Sequence, residues 1–391
     1  MKISVITLGM MQPHQGQFYN AQDIGLGRAL AAIGNDVDVF NFVPLGSGED
    51  TEDLGDNLRF HQIPTKATGI HSMYKKDFIP QGTEGVVCFS DNQMNFERIL
   101  NYCKKNGIKC IPYVGVLGSN NDNKLKGMLM NMLSDNMKHY KMMTVLAKTP
   151  EVMKEMKDQG VNSVILAPVC LDETLLNKDY KSSDVQELKT TLGRLHGRDL
   201  SGHVVLFVGR LQEEKHPVEM VDVFADIKKM IHSSQMIMIG KGHLEGSVKA
   251  EIGRKGLFDS VTLVERVENS QMWKYYSIAD VVVNLNDHEI FGMSILEAMY
   301  YGKHVVAVSA PGPDYIIQNK AQGTLCESEE DVAQAVFLLF VTSILLFSIL
   351  RERLKHLQLM REQMRLPCIY ILMHQRRACR RIVSRLRLMR Q

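Results

Sequence analysis

Two carboxylates, Glu289 and Glu297, lie on either side of the turn "FGMS" at 291–294, with seven residues between them. Carboxylates accept hydrogen bonds from hydroxyl groups, and the free amides at the start of a helix attract a phosphate. This spacing therefore predicts a site for a phosphate that carries a sugar. A structural alternative stays open, because Ser294-x-x-Glu297 is also the pattern of a capping box, with Glu289 as a solvated loop residue.

Two basic residues, Arg210 and Lys215, follow the apolar stretch "HVVLFVG". Ligands of parallel sheets lie at the carboxyl ends of the strands. An arginine fork and a lysine point charge at such an end can hold a diphosphate between them. The alternative is a charged surface loop without a ligand.

The elements that must position these residues alternate between strand and helix patterns. Apolar runs such as "KISVITL", "DVDVFNFV" and "GVVCFS" precede position 170, and "HVVLFVGRL", "QMIMIGKG" and "VVVNLN" come later. Helical patterns lie between these runs, which predicts parallel sheets covered on both faces. We expect an α/β protein with two domains, 1–170 and 171–336, and a ligand in the cleft between them.

Four motifs occur in one order, namely "FVGRL…K", "MIGKG", "SIADVVV" and "HEIFGMSILEAMYYGKHVVA". Together they resemble the C-terminal domain of the retaining, group 1 (family 4) glycosyltransferases. The resemblance covers roughly residues 1–336 and is strongest at 203–325. It implies the GT-B fold, with two Rossmann-like, doubly wound domains facing a cleft. It also implies sugar transfer from a nucleotide-diphosphate sugar, with retention of anomeric configuration, in cell-surface polysaccharide or glycolipid synthesis.

The resemblance also assigns roles to residues. It places Glu289 against the donor sugar as the catalytic candidate and gives Glu297 the ribose, with capping of its helix as a second role. The donor-binding residues that it implies are Arg210, Lys215, Gly240, Val267, Phe291, Gly292, Met293, Ser294 and Glu297. No cofactor or metal is expected, and the acceptor is a glycan or a lipid-linked molecule.

The first domain supplies the acceptor side in this resemblance. Its loop after the first strand has Gly16-Gln17 where paired glycines are usual. Many members carry a histidine after a middle strand, but the matching stretch "CIPYVGVLGSNND" has none. We interpret His139, further along, as a surface residue, and no catalytic histidine is assigned.

Two other functions stay open at this point. The first is a nucleotide-sugar epimerase of the same fold, and the second is a nucleotide-sugar binder without catalysis. Product analysis with the donor alone would separate the first, and binding without turnover would identify the second.

The seven cysteines contain no C-x-x-C pair, which argues against a disulfide framework or a zinc site. This usage favours a reducing compartment, so the expected location is the cytoplasm. The start of the chain, "MKISVITLGM", predicts a first strand and not a signal peptide.

The tail at 337–391 differs from the rest of the chain. An uncharged run of 19 residues spans 332–350, and residues 351–391 hold 12 Lys and Arg against 2 Asp and Glu. Three interpretations compete: an anchor at the inner face of the membrane, a reading-frame shift, and a helix with a basic tail. No aromatic interleaving or motif supports binding of nucleic acid.

Overall fold

The computed structural model describes residues 1–13, 21–68, 71–74, 78–91, 93–118, 135–169, 171–177, 180, 183–349 and 380–386. The chain divides into two units, one formed by Met1–Cys170 with Ile371–Gln391 and the other by Leu171–Tyr370. Each unit has its own sheet and is described by itself.

The first unit is built on a sheet of nine strands. They are β1 (Lys2–Met10), β2 (Asp36–Pro44), β3 (Asp50–Asp53), β4 (Leu58–Thr68), β5 (His71–Met73), β6 (Gly85–Phe89), β7 (Lys109–Val114), β8 (Val145–Ala147) and β9 (Val164–Leu166). Seven strands form a parallel series in the order β4-β2-β1-β6-β7-β8-β9. The short β3 and β5 pair antiparallel to their neighbours. This is the doubly wound arrangement that the alternating pattern predicts.

Helices follow the parallel strands of this unit. They are α1 (Gln22–Ala31), α2 (Phe96–Lys105), α3 (Met137–Tyr140) and α4 (Pro150–Asp158). The strand β1 is an almost continuous apolar run because a parallel sheet covered by helices is buried on both faces. Ile3, Val5 and Ile6 are accordingly fully buried.

A last helical segment, residues 380–386, also belongs to the first unit. Its apolar residues Ile382, Val383 and Leu386 are buried in the same core as Ile3 and Val87. The sequence interpretation missed this helix, because two adjacent apolar residues and a third among arginines are a weak periodic signal.

The second unit has a fully parallel sheet of six strands. They are β10 (Val204–Val208), β11 (Gln235–Ile239), β12 (Val261–Val264), β13 (Val281–Asn284), β14 (His304–Val308) and β15 (Gly323–Cys326). The order is β12-β11-β10-β13-β14-β15. The strand order reverses between β10 and β13, which makes this pair the topological switch point.

The helices of the second unit flank this sheet. They are α5 (Val185–His196), α6 (Pro217–Met230), α7 (Glu245–Arg254), α8 (Asn269–Ile278), α9 (Met293–Tyr300), α10 (Pro311–Ile316) and α11 (Glu329–Ile349), with 3-10 turns at Glu173–Leu175 and Glu213–Lys215.

Helix α11 contains most of the uncharged run at 332–350. Its residues Val332, Val336 and Phe340 are buried in the core of the second unit, and the Phe340 ring stacks on His203 at a centroid distance of 4.4 Å. The first half of the run is therefore a core helix. Within the described residues, none of the helices combines the length and the apolar character that a membrane span requires.

Candidate functional site

The candidate site lies at the switch point of the second unit. Strand β10 leads into the turn that carries Arg210 and Lys215, and the neighbouring β13 leads into the loop that carries Glu289. Both loops leave the carboxyl edge of the sheet, because the two strands are parallel. Residues 74 positions apart in the chain are thereby brought into contact.

That contact is an ion pair between Lys215 and Glu289. The lysine Nζ donates to Oε2 of the glutamate at 2.6 Å. The side chains are 21% and 15% exposed, respectively. The alternative of a solvated loop glutamate is therefore wrong. A partly buried carboxylate and ammonium placed together at a strand edge can orient a charged ligand.

Two asparagines bring further amide groups to Glu289. Nδ2 of Asn286 lies 3.3 Å from Oε2 of Glu289, and Nδ2 of Asn284 lies 3.5 Å from it. Asn284 also accepts from the backbone N–H of Asn286 at 2.9 Å, which holds the start of the loop. The sequence interpretation missed both residues, although "NLND" directly after an apolar strand is a polar cluster at a carboxyl edge.

The turn before α9 depends on two glycines. Gly292 has φ +87°, a conformation that favours glycine, and it is the N-cap of α9. Gly312 packs on the backbone of Phe291, where an added Cβ would lie 2.6 Å from three backbone atoms. Its N–H also donates to the carbonyl of Glu289 at 2.8 Å. Met293 and Ser294 are the first two helical residues, whose amides point out of the helix.

Glu297 lies deeper than Glu289. It is 4% exposed, and its Oε2 accepts from the hydroxyl of Tyr276 at 2.6 Å. The capping box, which was the structural alternative to a ligand site, does not form. Gly292, not Ser294, is the N-cap, and the cap has no side-chain hydrogen bond. The physical reason is that α9 already begins at Met293, so Ser294 lies inside its first turn.

Among the residues that the structure describes, the other predicted donor residues, Arg210, Gly240 and Val267, make no hydrogen bond or ion pair with the Lys215–Glu289 pair. Arg210 is 68% exposed and pairs with Glu214 at 2.9 Å. Gly240 brings the ends of β10 and β11 together, since an added Cβ would lie 1.8 Å from the carbonyl oxygen of Gly209. Val267 follows β12 and is partly exposed. The structure brings Lys215 and Glu289 together but does not bring Arg210 to the same carboxylate.

The predictions for the first unit have different outcomes. Gly16 and Gln17 lie outside the described residues. His139 is 8% exposed, so its interpretation as a surface residue is wrong. Its ring packs edge-on against Phe96 at a centroid distance of 6.2 Å. Burial lowers the pKa of His139, as expected for an imidazole removed from water.

The comparisons with known proteins concern the family and the fold. A family model described as "Glycosyl transferases group 1" matches residues 193–353. The second unit is a group 1 glycosyltransferase domain. An alpha-monoglucosyldiacylglycerol synthase from Streptococcus pneumoniae is 26% identical over 158 residues, which are 40% of this chain and 35% of that protein. A second synthase of this name, from Acholeplasma laidlawii, is 24% identical over 213 residues, 54% of this chain and 51% of that protein.

The chain thus matches about a third to a half of the length of these relatives. An alpha-D-kanosaminyltransferase from Streptomyces kanamyceticus is 26% identical over 149 residues, 38% of each chain. The names are those of synthases and a transferase, so the epimerase alternative gains no support from them.

Solved structures establish the fold. Sucrose-phosphate synthase from Thermosynechococcus elongatus matches with a TM-score of 0.70 at 18% identity, over 100% of this chain and 98% of that chain. HepE from Anabaena, solved in complex with UDP-glucose, matches with a TM-score of 0.66 at 14% identity, over 98% of this chain and 100% of that chain. The predicted GT-B fold is confirmed.

Proposed function

We propose that this protein is a retaining glycosyltransferase that moves a sugar from a nucleotide-diphosphate sugar to a hydroxyl group of an acceptor. The observation that carries the proposal is the 2.6 Å ion pair between Lys215 and Glu289 at the switch point. It joins the two loops on which a donor diphosphate and its sugar would rest.

The roles of the site residues follow from their chemistry. The ammonium of Lys215 neutralises charge on the departing diphosphate, and the amides at the start of α9 assist it. Glu289, held by Lys215 and Asn286, orients the donor sugar through its hydroxyl groups. Glu297 holds a ribose hydroxyl while it keeps its bond to Tyr276, since one carboxylate accepts several hydrogen bonds.

The transfer exchanges one bond for another at the anomeric carbon. The bond from this carbon to the diphosphate oxygen breaks, and the acceptor oxygen bonds to the same face. The acceptor proton passes to the departing diphosphate. We propose that no metal or cofactor takes part, because Lys215, Arg210 and the helix start provide the positive charge.

For the acceptor we propose a glycan or a lipid-linked molecule, with the two diacylglycerol glycolipid synthases among the relatives as support. We propose the cytoplasm as the place of action, since the described cysteines Cys88, Cys103, Cys110 and Cys326 are unpaired thiols. Attachment to the inner face of the membrane through the tail is part of this proposal for a lipid-linked acceptor.

Calorimetric titration with UDP, GDP and ADP tests the donor site. We expect one of the three to bind the wild type, and we expect Lys215→Ala and Glu297→Gln to weaken that binding at least about tenfold, as for lost charge-assisted contacts. Arg210→Ala should have a smaller effect, because its side chain is exposed. Lys229→Ala is the matched control, since Lys229 is an exposed lysine paired with Asp226 on α6.

The outcomes discriminate between the remaining alternatives. If the folded wild type binds none of the three nucleotides, the donor-site assignment is wrong. Binding without sugar transfer to any glycan or diacylglycerol acceptor would instead identify a binder without catalysis. If transfer occurs, nuclear magnetic resonance of the product reports whether the anomeric configuration is retained, and addition of EDTA reports whether a metal is needed.

A further inference from the structure

His216 lies directly after Lys215 and contacts a second set of carboxylates. Its Nδ1 is 2.7 Å from Oε1 of Glu329, and its Nε2 is 3.5 Å from Oδ1 of Asp287. The sequence interpretation assigned no role to this residue. Both ring nitrogens therefore face a carboxylate, one from the loop after β13 and one from the first residue of α11.

This geometry distinguishes the two protonation states of the ring. A neutral imidazole has one N–H, so it can donate to Glu329 or to Asp287 but not to both. The imidazolium has two N–H groups and can serve both carboxylates. The arrangement around His216 is therefore complementary to its protonated form.

The backbone of His216 is also unusual. Its φ is +50° and its ψ is 48°, the left-handed region that few non-glycine residues adopt. The residue is the N-cap of α6, and Pro217 begins the helix. The two consecutive side chains of Lys215 and His216 together reach three carboxylates, those of Glu289, Asp287 and Glu329.

The two contacts join the same pair of loops. Lys215 binds Glu289, and His216 faces Asp287, two residues earlier in the same loop. The link from His216 to Glu329 fastens this assembly to α11, which packs into the core of the unit. Without the His216 links, the Lys215–Glu289 pair would still connect the two loops.

We propose that His216 is a positioning residue of the donor site, and that its protonated ring holds the Lys215 turn against the Glu289 loop. This inference rests on the proposed function, because the property that it controls is the affinity for the sugar nucleotide. Protonation of His216 strengthens binding of the donor, and loss of the proton weakens it.

The groups around His216 are mostly acidic. Asp287 and His288 lie on the loop after β13, Glu329 and Glu330 on α11, and Glu219 on α6. His288 also binds Asp287, at 2.5 Å. Burial raises the pKa of Glu329, and the negative charges of Glu219, Asp287 and Glu330 raise it further, while the charge of His216 acts to lower it. Two of these carboxylates, those of Asp287 and Glu329, contact the His216 ring. His288 is a second histidine on these elements and binds Asp287 as well, so a variant of His288 serves as a control.

The test is the pH dependence of donor binding by the full chain. The probe is UDP-glucose, GDP-mannose or ADP-glucose, according to the nucleotide that binds, because such diesters do not titrate near neutral pH. The wild type should bind about fivefold more weakly at pH 8 than at pH 5.5, the effect of one ion pair between partly exposed groups.

Three variants separate the contribution of the His216 imidazole from that of His288. His216→Asn and His216→Gly both accept the left-handed backbone, and neither can be charged. Both variants should bind the sugar nucleotide more weakly than the wild type does at pH 5.5. Their affinity should be the same at pH 5.5 and at pH 8. His288→Asn should keep the wild-type dependence on pH. Thermal unfolding at each pH verifies that every variant is folded.

The results distinguish a failure of the His216 role from a failure of the proposed function. A wild-type affinity independent of pH, or a His216→Asn variant that keeps the full dependence on pH, overturns the role of His216 and leaves the proposed function intact. A wild type that binds no sugar nucleotide at either pH overturns the proposed function, and the positioning role falls with it.

Discussion

The hydroxyl of Tyr276 donates to the carboxylate of Glu297 at 2.6 Å, in a contact buried between α8 and α9. The Tyr276 ring stacks on Tyr301 at a centroid distance of 5.4 Å, which holds the hydroxyl in place. A carboxylate buried in this way requires hydrogen-bond donors, because it has left water. The site glutamate nearest the core is therefore positioned by an aromatic residue from a neighbouring helix.

Replacing Tyr276 with Phe removes this hydroxyl and keeps the ring. We expect a loss of about 1.5–3 kcal/mol in the free energy of unfolding, as for a hydrogen bond to a charged group. Urea unfolding followed by the fluorescence of Trp273, on the same helix, measures it. Tyr275→Phe is the matched control, since its hydroxyl contacts the ring of His196 at 2.9 Å and not a carboxylate. Equal effects of the two variants would contradict the special role of Tyr276.

Replacing Gly312 with Ala should distort the turn at 291–294, against which Gly312 packs. The new Cβ would lie 2.6 Å from the backbone of Phe291, which cannot move without displacing Glu289 and Gly292. We expect a loss of about 1–3 kcal/mol in stability, as for overpacking, together with weaker nucleotide binding by calorimetry.

Gly246→Ala provides the matched control for Gly312→Ala. An added Cβ at Gly246, in α7, meets nothing within 4 Å. This variant should gain up to about 1 kcal/mol, because alanine favours a helix. If Gly312→Ala binds nucleotide like the wild type, the contact with Phe291 does not support the turn.

The network around Asp38 makes the first unit sensitive to acid. Burial would raise the pKa of Asp38, but hydrogen bonds from His61 and Arg59 outweigh burial and lower the pKa to about 2, from 3.8. The ionised form therefore stabilises the fold fully above pH 3.8. This stabilisation is lost as the pH falls from about 4 towards 2.

Asp38→Asn should remove this sensitivity. The variant should be less stable than the wild type at pH 6 by about 2 kcal/mol, and the difference should shrink towards pH 2.5. Far-ultraviolet circular dichroism during urea unfolding measures both values. Asp36→Asn is the control, because Asp36 binds the same Arg59 but is 43% exposed. A difference that does not change with pH would show that the pKa of Asp38 is not lowered.

Leu386 tests whether the end of the chain is part of the first unit. Its side chain is fully buried and lies against Gly85, and its carbonyl accepts from Lys109. Leu386→Ala should cost about 2–5 kcal/mol, as for a cavity in a core. The exposed neighbour Arg385 gives the control variant Arg385→Ala. Unfolding by circular dichroism that is unaffected by Leu386→Ala would mean that residues 380–386 do not stabilise the unit.

Local patterns were sufficient to predict the main strands and helices. The alternation of apolar strands and amphipathic helices gave the two doubly wound sheets, because parallel strands buried on both faces must be apolar throughout. The motif from Glu289 to Glu297 predicted the loop after β13, the turn at 291–294 and the start of α9. The helix at 380–386 was missed, since arginines separate its few apolar residues.

What the sequence by itself determined is which residues lie at the carboxyl edge of the second sheet, because that follows from strand direction alone. Only the tertiary structure decided which of them meet. Lys215 reaches Glu289, Tyr276 reaches Glu297, and His216 joins two carboxylates. These partners lie on different loops and helices, up to 113 residues apart, and their contacts depend on the packing of the whole unit. No local period encodes such a distance.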